Sequence, residues 1–319
     1  MVKELIQKIK EYKNFLITSH INLEGDAIGS LLAMRALLTS LGKKATMVVS
    51  EKIPQEYNFV GDTHLIKRLD KIDYSKYDVL IVLDCSDQMR AEKIIEAFGK
   101  GKPIINIDHH ISNTYFGDIN WIEPEASSTA EMIYKLYEKL KVPLNRKIAL
   151  WLYTGIFTDT GSFHYPNTTS ASHRISSKLI DYGLKVHNIY RNIYQRKTIS
   201  DVRFLIATIS TINSTKDNKI IWFKMRKSLF NKYKPSSDLT EELLNFGRLI
   251  KDAEVVVLFK ENSYSNTINV NLRSQGKIDV NKIASYFGGG GHRSASGCKI
   301  KGNLLDAERK VIAKIKQYL

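Results

Sequence analysis

Short apolar runs alternate with amphipathic stretches along the first half of the chain. Asn14-Phe15-Leu16-Ile17-Thr18, Ala45 to Val49, Asp78 to Leu83 and Pro103 to Ile107 each read as a strand. A continuous apolar run bounded by polar residues suits a strand covered on both faces. Between them the apolar positions take the helical period. Leu31, Leu32, Met34, Leu37 and Leu38 recur at spacings of three and four, which predicts a helix over Leu31 to Leu41. Further helices are predicted over Met132 to Leu140, about Leu144 to Thr158, about Thr169 to Tyr182 and Val186 to Tyr194. Strands alternating with helices imply right-handed crossovers and an α/β fold with a doubly wound, mostly parallel sheet.

The second half has a different rhythm. A helix about Ile199 to Thr211 precedes strands at Lys219 to Phe223, Val255 to Phe259 and Thr267 to Arg273. A helix over Val280 to Phe287, a strand over Gly297 to Ile300 and a terminal helix follow, which predicts a smaller α/β domain with a mixed sheet. With 319 residues, two domains are expected: 1–185, a helical linker 186–200, and 201–319. No run approaches the length of a membrane helix. The charged start, Met1 to Lys10, reads as an amphipathic helix and not a signal peptide, so a cytoplasmic protein is expected. Cys85 and Cys298 lie far apart without zinc-ligand spacing, and reduced thiols are expected.

Charge changes the picture through its placement. Up to Lys185 there are 24 basic and 22 acidic residues; from Val186 onward there are 24 and 11. Of the net +15, all but +2 lies in the second part. A near-neutral half could hold a cation while the basic half attracts an anionic substrate. A solvated lysine-rich surface is the plainer alternative.

The candidate chemistry lies where the apolar runs stop. Pro103 to Ile107 ends on Asp108-His109-His110, and Asp78 to Leu83 ends on Asp84. Ligands of open α/β sheets collect beyond the carboxyl ends of strands. His20, Glu24 and Asp26 follow the first strand on the loop into its helix, with Gly25 allowing a tight turn between the acids. Asp26 could equally be a helix cap. Asp159 closes a helix, where a carboxylate opposes the dipole, so a metal or a basic side chain should hold it. Imidazole nitrogens and carboxylate oxygens are the donors a transition metal takes. In the second half, Gly288-Gly289-Gly290-Gly291-His292 offers backbone able to approach a ligand closely through bare N–H groups.

Six motifs then fall in register: H-I-N-L-E-G-D-A-I-G-S, V-L-D-C-S-D, D-H-H-I-S-N, E-A-S-S-T-A-E, T-D-T-G-S-F and F-G-G-G-G-H. Over nearly its whole length the chain resembles the DHH/DHHA1 phosphoesterases. It is most similar to the two-domain members that degrade nanoRNA and dephosphorylate 3′-phosphoadenosine-5′-phosphate (pAp), and to the cyclic-di-AMP and pApA phosphodiesterases. The resemblance implies a DHH catalytic domain, a DHHA1 substrate-binding domain and two manganese ions, with magnesium or cobalt as substitutes. One ion would take His20, Glu24 and Asp84; the other would take Asp26, Asp84, His109 and Asp159, with Asp84 bridging. His110 would face the substrate and Asp108 would orient the histidines. Arg273, Ser274, Gly289, Gly290, Gly291 and His292 would contact substrate. The family motif carries aspartate preceded by proline where this chain has Leu23-Glu24.

The implied activity is hydrolysis of very short single-stranded oligonucleotides or dinucleotides (nanoRNA, pApA, cyclic-di-AMP) to nucleoside 5′-monophosphates, together with pAp dephosphorylation. Long duplex nucleic acid is not an expected partner, and the helices between the domains could mediate a homodimer. A manganese inorganic pyrophosphatase is a rival, although that class closes its site with a lysine-containing motif in place of G-G-G-G-H. A non-catalytic nucleotide sensor is the other.

Overall fold

The computed structural model describes residues 2–99, 101–262, 265–291 and 293–319. It divides into two compact units, Met1–Arg196 and Lys197–Leu319.

The first unit is built on β1 (Asn14–Ser19), β2 (Lys44–Val49), β3 (Ile66–Arg68), β4 (Val79–Leu83), β5 (Ile104–Asp108) and β6 (Ile119–Ile122). All run parallel, in the order β3-β2-β1-β4-β5-β6. The four apolar runs are the four central strands. The two edge strands carry no such run: β3 buries only Ile66 and exposes Lys67 and Arg68, and β6 buries Ile119, Trp121 and Ile122 but is four residues long and broken by Asn120. Side chains alternate between two cores. Phe15, Ile17, Ile81 and Ile107 face α1 (Val2–Glu11), α2 (Gly25–Ser40), α4 (Thr129–Leu140) and α5 (Arg146–Asp159). Leu16, Leu80 and Val82 face α3 (Glu92–Phe98) on the other side. Strand order reverses between β1 and β4, and the crevice at such a reversal is where open sheets bind ligands.

Helices α6 (Ser170–Ile180) and α7 (Val186–Tyr194) complete the unit. The helix expected as a linker, Val186–Tyr194, packs into the first core through Ile189, Val186 and Ile193. The division therefore falls after it.

α2 begins at Gly25, well before the predicted Leu31, and Gly25 to Met34 are all buried. A helix buried all round has no polar face to mark its period. Gly25 is not a tight turn. A Cβ there would lie 2.4 Å from Thr158 Oγ1; one at Gly29 would lie 2.3 Å from the Trp151 carbonyl oxygen; one at Gly155 would lie 2.7 Å from Asp26 Oδ1. Three glycines thus let α2 and α5 touch at backbone distance, which brings Asp26 on one helix toward Asp159 on the other.

The second unit holds a sheet in the order β11-β12-β10-β9-β8-β7: β7 (Asn213–Ser214), β8 (Ile220–Met225), β9 (Val255–Glu261), β10 (Thr267–Ser274), β11 (Gly290–Gly291) and β12 (Ala295–Lys301). It is mixed, as expected, with β8 and β9 parallel and the other pairs antiparallel. One face packs on α11 (Val280–Tyr286) and α12 (Leu304–Lys316) through Val257, Val270 and Val311. On the other face α8 (Ile199–Ile209) and α10 (Thr240–Arg248) cover β8 and β9 through Phe204, Phe223 and Leu243, with α9 (Lys227–Tyr233) at the margin.

Gly29→Ala gains about 1 kcal/mol of helix propensity but drives a methyl into backbone that cannot rotate away. A net loss of roughly 1–3 kcal/mol is expected. Gly290→Ala, with no neighbour nearer than 3.8 Å to its added carbon, should change stability by less than about 0.5 kcal/mol. Urea melts of both variants beside the parent chain measure the difference; equal effects would mean the seam is not tight.

Candidate metal centre

Each donor of the first unit is delivered by the end of an element. His20 follows β1, Asp84 follows β4, and Asp108, the last residue of β5, leads into His109 and His110. Glu24 is the N-cap of α2, its Oε1 accepting from Ala27 N at 2.9 Å; Asp26 lies in the first turn; Asp159 is the last residue of α5. Asp26 is therefore not the cap. Ligand atoms of His20, Glu24 and Asp84 lie within 4.8 Å of one another, as do those of Asp26, His109 and Asp159, and those of Asp84, His109 and His110. Asp84 and His109 each belong to two of these groups. Asp84 sits at φ 54°, a left-handed backbone that is costly for a residue with a Cβ and concentrates at functional sites.

The imidazoles are set by what their other nitrogens touch. His109 Nδ1 lies 3.2 Å from the Ala126 carbonyl, an acceptor, so Nδ1 carries the hydrogen. Nε2 is then a lone pair. It is buried without a hydrogen-bond partner among the described residues, 3.3 Å from Asp159 Oδ2 and 3.6 Å from Asp84 Oδ1. A lone pair facing two carboxylates is repulsive unless a cation lies between them. His20 repeats the arrangement: Nδ1 meets the Ile21 carbonyl at 2.5 Å, and Nε2 lies 3.4 Å from Asp84 Oδ2. These are the orientations that metal-bound histidines take, with the distal N–H fixed by an acceptor. The donors present thus fit a cation site of mixed oxygen and nitrogen character.

The carboxylates carry the electrostatic strain. Burial, and then the Asp84 charge, push Glu24 up to about 7. Burial and the same neighbour push Asp26 well above the usual range. Burial and the Glu24 charge do so for Asp159. Burial would also raise Asp84, but His20, His109 and His110 surround it and hold it below the ordinary carboxylate value. Burial alone would lower His110; its bond to Asp108 reverses that and takes it to about 9. His109, with no carboxylate hydrogen bond, is lowered by burial.

Asp108 orients one histidine and not both. Its Oδ1 accepts from His110 Nδ1 at 2.6 Å, whereas His109 is held by Ala126. Several supporting residues were not singled out from the sequence. Asn113 Nδ2 donates to Asp108 Oδ2 at 2.6 Å and to Asn106 Oδ1 at 2.8 Å. Asn167 Nδ2 lies 3.0 Å from the Asp159 carbonyl and 3.3 Å from its Oδ2. Asp26 itself accepts from Thr129 N (2.7 Å), Ala130 N (2.8 Å) and Ser30 Oγ (3.1 Å). Asn113 stands within the quoted D-H-H-I-S-N motif; Asn167 carries no spacing signal, because its partner is reached by the chain turning back.

In the second unit the strand period separates the two residues named together. Arg273 shares an outward row on β10 with Asn269 and Asn271, while Ser274 points into the opposite, apolar face, its hydroxyl accepting from Gly276 N. Arg273 pairs with Glu241. A cavity of about 480 Å³ opens on that row, lined among others by Lys260, Asn269, Asn271, Gly289, Gly297 and Lys299. The Asn269 Oδ1 has no partner among the described residues. The glycine run is not a bare cradle. Gly288 N and Gly289 N close α11 on the Ser285 and Ala284 carbonyls, with Gly288 at φ 75°. Gly290 and Gly291 pair with Gly297 and Ser296 as β11. A Cβ at Gly289 would lie 2.2 Å from the Gly297 carbonyl oxygen, so close strand approach explains that glycine. His292 lies outside the described residues.

The parallel sheet with its acid-histidine edge and the mixed second sheet together define a protein class. Residues 14–156 match the DHH family, N-terminal domain, and residues 209–319 match the DHHA1 domain. The chain belongs to the DHH/DHHA1 proteins. Among its relatives, the bifunctional oligoribonuclease and PAP phosphatase NrnA of Bacillus subtilis (strain 168) is 29% identical over 310 residues, covering 94% of this chain and 93% of that protein. The protein of the same name from Thermus thermophilus is also 29% identical, covering 95% and 89%. The crystal structure of an exopolyphosphatase-related protein from Bacteroides fragilis superposes with a TM-score of 0.92 at 26% identity, over 99% of this chain and 96% of that one. No helix among the described residues is long and apolar enough to cross a membrane.

Glu24 supplies a pH test. Its folded pKa of about 7 lies above its unfolded value, so between the two the folded state binds more protons, and stability falls as pH rises through that window. In metal-free protein, Glu24→Gln should therefore stabilise by roughly 1–3 kcal/mol at pH 8, the gain vanishing toward pH 4.5. Urea melts in chelator at both pH values read this out. A loss of stability at pH 8 would show that the Glu24 charge is already compensated.

Proposed function

We propose that the chain is a manganese-dependent phosphodiesterase that hydrolyses very short oligonucleotides such as nanoRNA and pApA to nucleoside 5′-monophosphates. The same centre would dephosphorylate pAp. The observation that carries this reading is the buried His109 Nε2 lone pair facing Asp84 and Asp159 beside the matching His20, Glu24 and Asp84 group. The oligoribonuclease and PAP phosphatase activity of the Bacillus and Thermus relatives supports the substrate class.

His20, Glu24 and Asp84 would hold one ion and Asp26, His109 and Asp159 the other, with Asp84 shared. Divalent cations there supply charge for a phosphoryl oxygen and a water acidic enough to attack. Manganese suits the nitrogen-and-oxygen donor set, with magnesium or cobalt as substitutes. The water oxygen bonds to phosphorus as the P–O bond to the 3′ oxygen breaks. His110, kept protonated by Asp108, gives its Nε2 proton to that 3′ oxygen and recovers one from the attacking water. In the second unit, Arg273, Asn269, Asn271, Lys260 and Lys299 would grip the remaining phosphates and base edges.

With manganese, the protein is expected to convert pApA to two AMP and to release little orthophosphate from pyrophosphate. Chelation should abolish turnover and added manganese restore it. Asp84→Ala should lower kcat by at least about 10³-fold, followed by chromatography of the products. Rapid pyrophosphate hydrolysis without AMP formation would place the chain with the pyrophosphatases. Nucleotide binding with no turnover under manganese, magnesium or cobalt would make it a sensor.

A further inference from the structure

Arg90 ends a single 3-10 turn, Gln88–Arg90, just after β4. Its backbone is fixed against the metal-ligand loop, because its carbonyl accepts from Ile21 N at 2.9 Å. Its side chain is half-buried, with guanidinium Nη2 lying 3.0 Å from His20 Nδ1. That contact satisfies nothing. A guanidinium has five N–H groups and no acceptor, and in the tautomer that leaves His20 Nε2 free for a cation, Nδ1 carries a hydrogen, with the Ile21 carbonyl at 2.5 Å as its acceptor. Two donors therefore face each other.

No other side-chain hydrogen bond or ion pair of Arg90 exists among the described residues. Of the two acids nearest in sequence, Asp87 caps the turn by accepting from Met89 N through Oδ1 and Glu92 stands in the first turn of α3, and neither is paired with Arg90 among the described residues. Asp84 is ringed by His20, His109 and His110. A partly desolvated cation without an acceptor is costly, and a prop for His20 would offer that ring an acceptor, which arginine cannot. What Arg90 lacks is an anion, and it lacks one at the rim of the candidate metal centre.

We propose that Arg90 binds a non-bridging oxygen of the substrate phosphate engaged at that centre, and the corresponding phosphate of the nucleoside 5′-monophosphate product. This rests on the phosphodiesterase reading above. The planar fork of arginine matches a phosphate edge with two parallel hydrogen bonds, which lysine, a point charge, does not reproduce.

The test uses the full chain loaded with manganese, as parent, Arg90→Gln and Arg90→Lys. For Arg90→Gln, kcat/KM on pApA should fall about 10²-fold, and AMP should inhibit at least about tenfold more weakly. Manganese affinity by calorimetry and the urea midpoint should stay close to the parent's, and Arg90→Lys should recover part of the loss. A kcat/KM within about threefold of an active parent would overturn the proposal. So would manganese affinity falling in step with activity, which would mark Arg90 as a support for His20. If the parent itself leaves pApA intact, the functional reading fails separately, and calorimetry of inorganic phosphate against the three proteins still decides on Arg90: equal affinity in parent and Arg90→Gln would refute it.

Discussion

Four carboxylates, from Glu24, Asp26, Asp84 and Asp159, are held in one small, largely buried volume. Two unit charges about 4 Å apart repel by about 4 kcal/mol at the effective dielectric found near protein surfaces, and desolvation adds to that. Three imidazoles answer only part of it. Protons answer some of the rest, which is why Glu24, Asp26 and Asp159 are all pushed upward. A cation answers it by drawing lone pairs from several of these donors at once, where a proton neutralises one acid at a time. The features around the site make sense as means of keeping these acids together against their repulsion.

Those means are distributed through the fold. A parallel sheet places the ends of β1, β4 and β5 side by side, so residues far apart in sequence emerge within reach of one ligand. The glycine seam between α2 and α5 removes the side-chain layer that would otherwise separate Asp26 from Asp159. The asparagines act at shorter range: Asn113 locks Asp108, and Asn167 locks Asp159. Asp84 accepts a strained backbone at the point where two donor groups meet. Removing any one of these leaves the residue types intact and the geometry slack.

Much of this was legible in the chain. The four central strands announced themselves as apolar runs, and three of them, β1, β4 and β5, lead into residues of the site because a strand buried on both faces can change to polar only where it leaves the sheet. The mixed second sheet was legible for the same reason. What escaped had no local signature. β3 has little to bury, β6 is four residues broken by Asn120, and the first turns of α2 are buried on every side. Arg90 and Asn167 matter through partners that the folded chain brings near, and Asn113, though inside the D-H-H-I-S-N motif, through a bond to Asp108 that the motif does not spell out. The glycine run carries a structural demand of its own: glycine signals close approach, and one close neighbour of Gly289 is the chain's own β12. Side-chain period was visible in β10 and would have separated Arg273 from Ser274.

Asp26 does more than face the other acids. Its oxygens take the first two amides of α4, Thr129 and Ala130, whose helix would otherwise begin with unsatisfied donors. The carboxylate is thus shared between a helix end and a charge cluster, and neither can claim more of it without the other yielding. The two amides become resident reporters of the cluster. Their exchange with solvent deuterium tracks how Asp26 divides its lone pairs, so a backbone position that touches no substrate can register what occupies the centre.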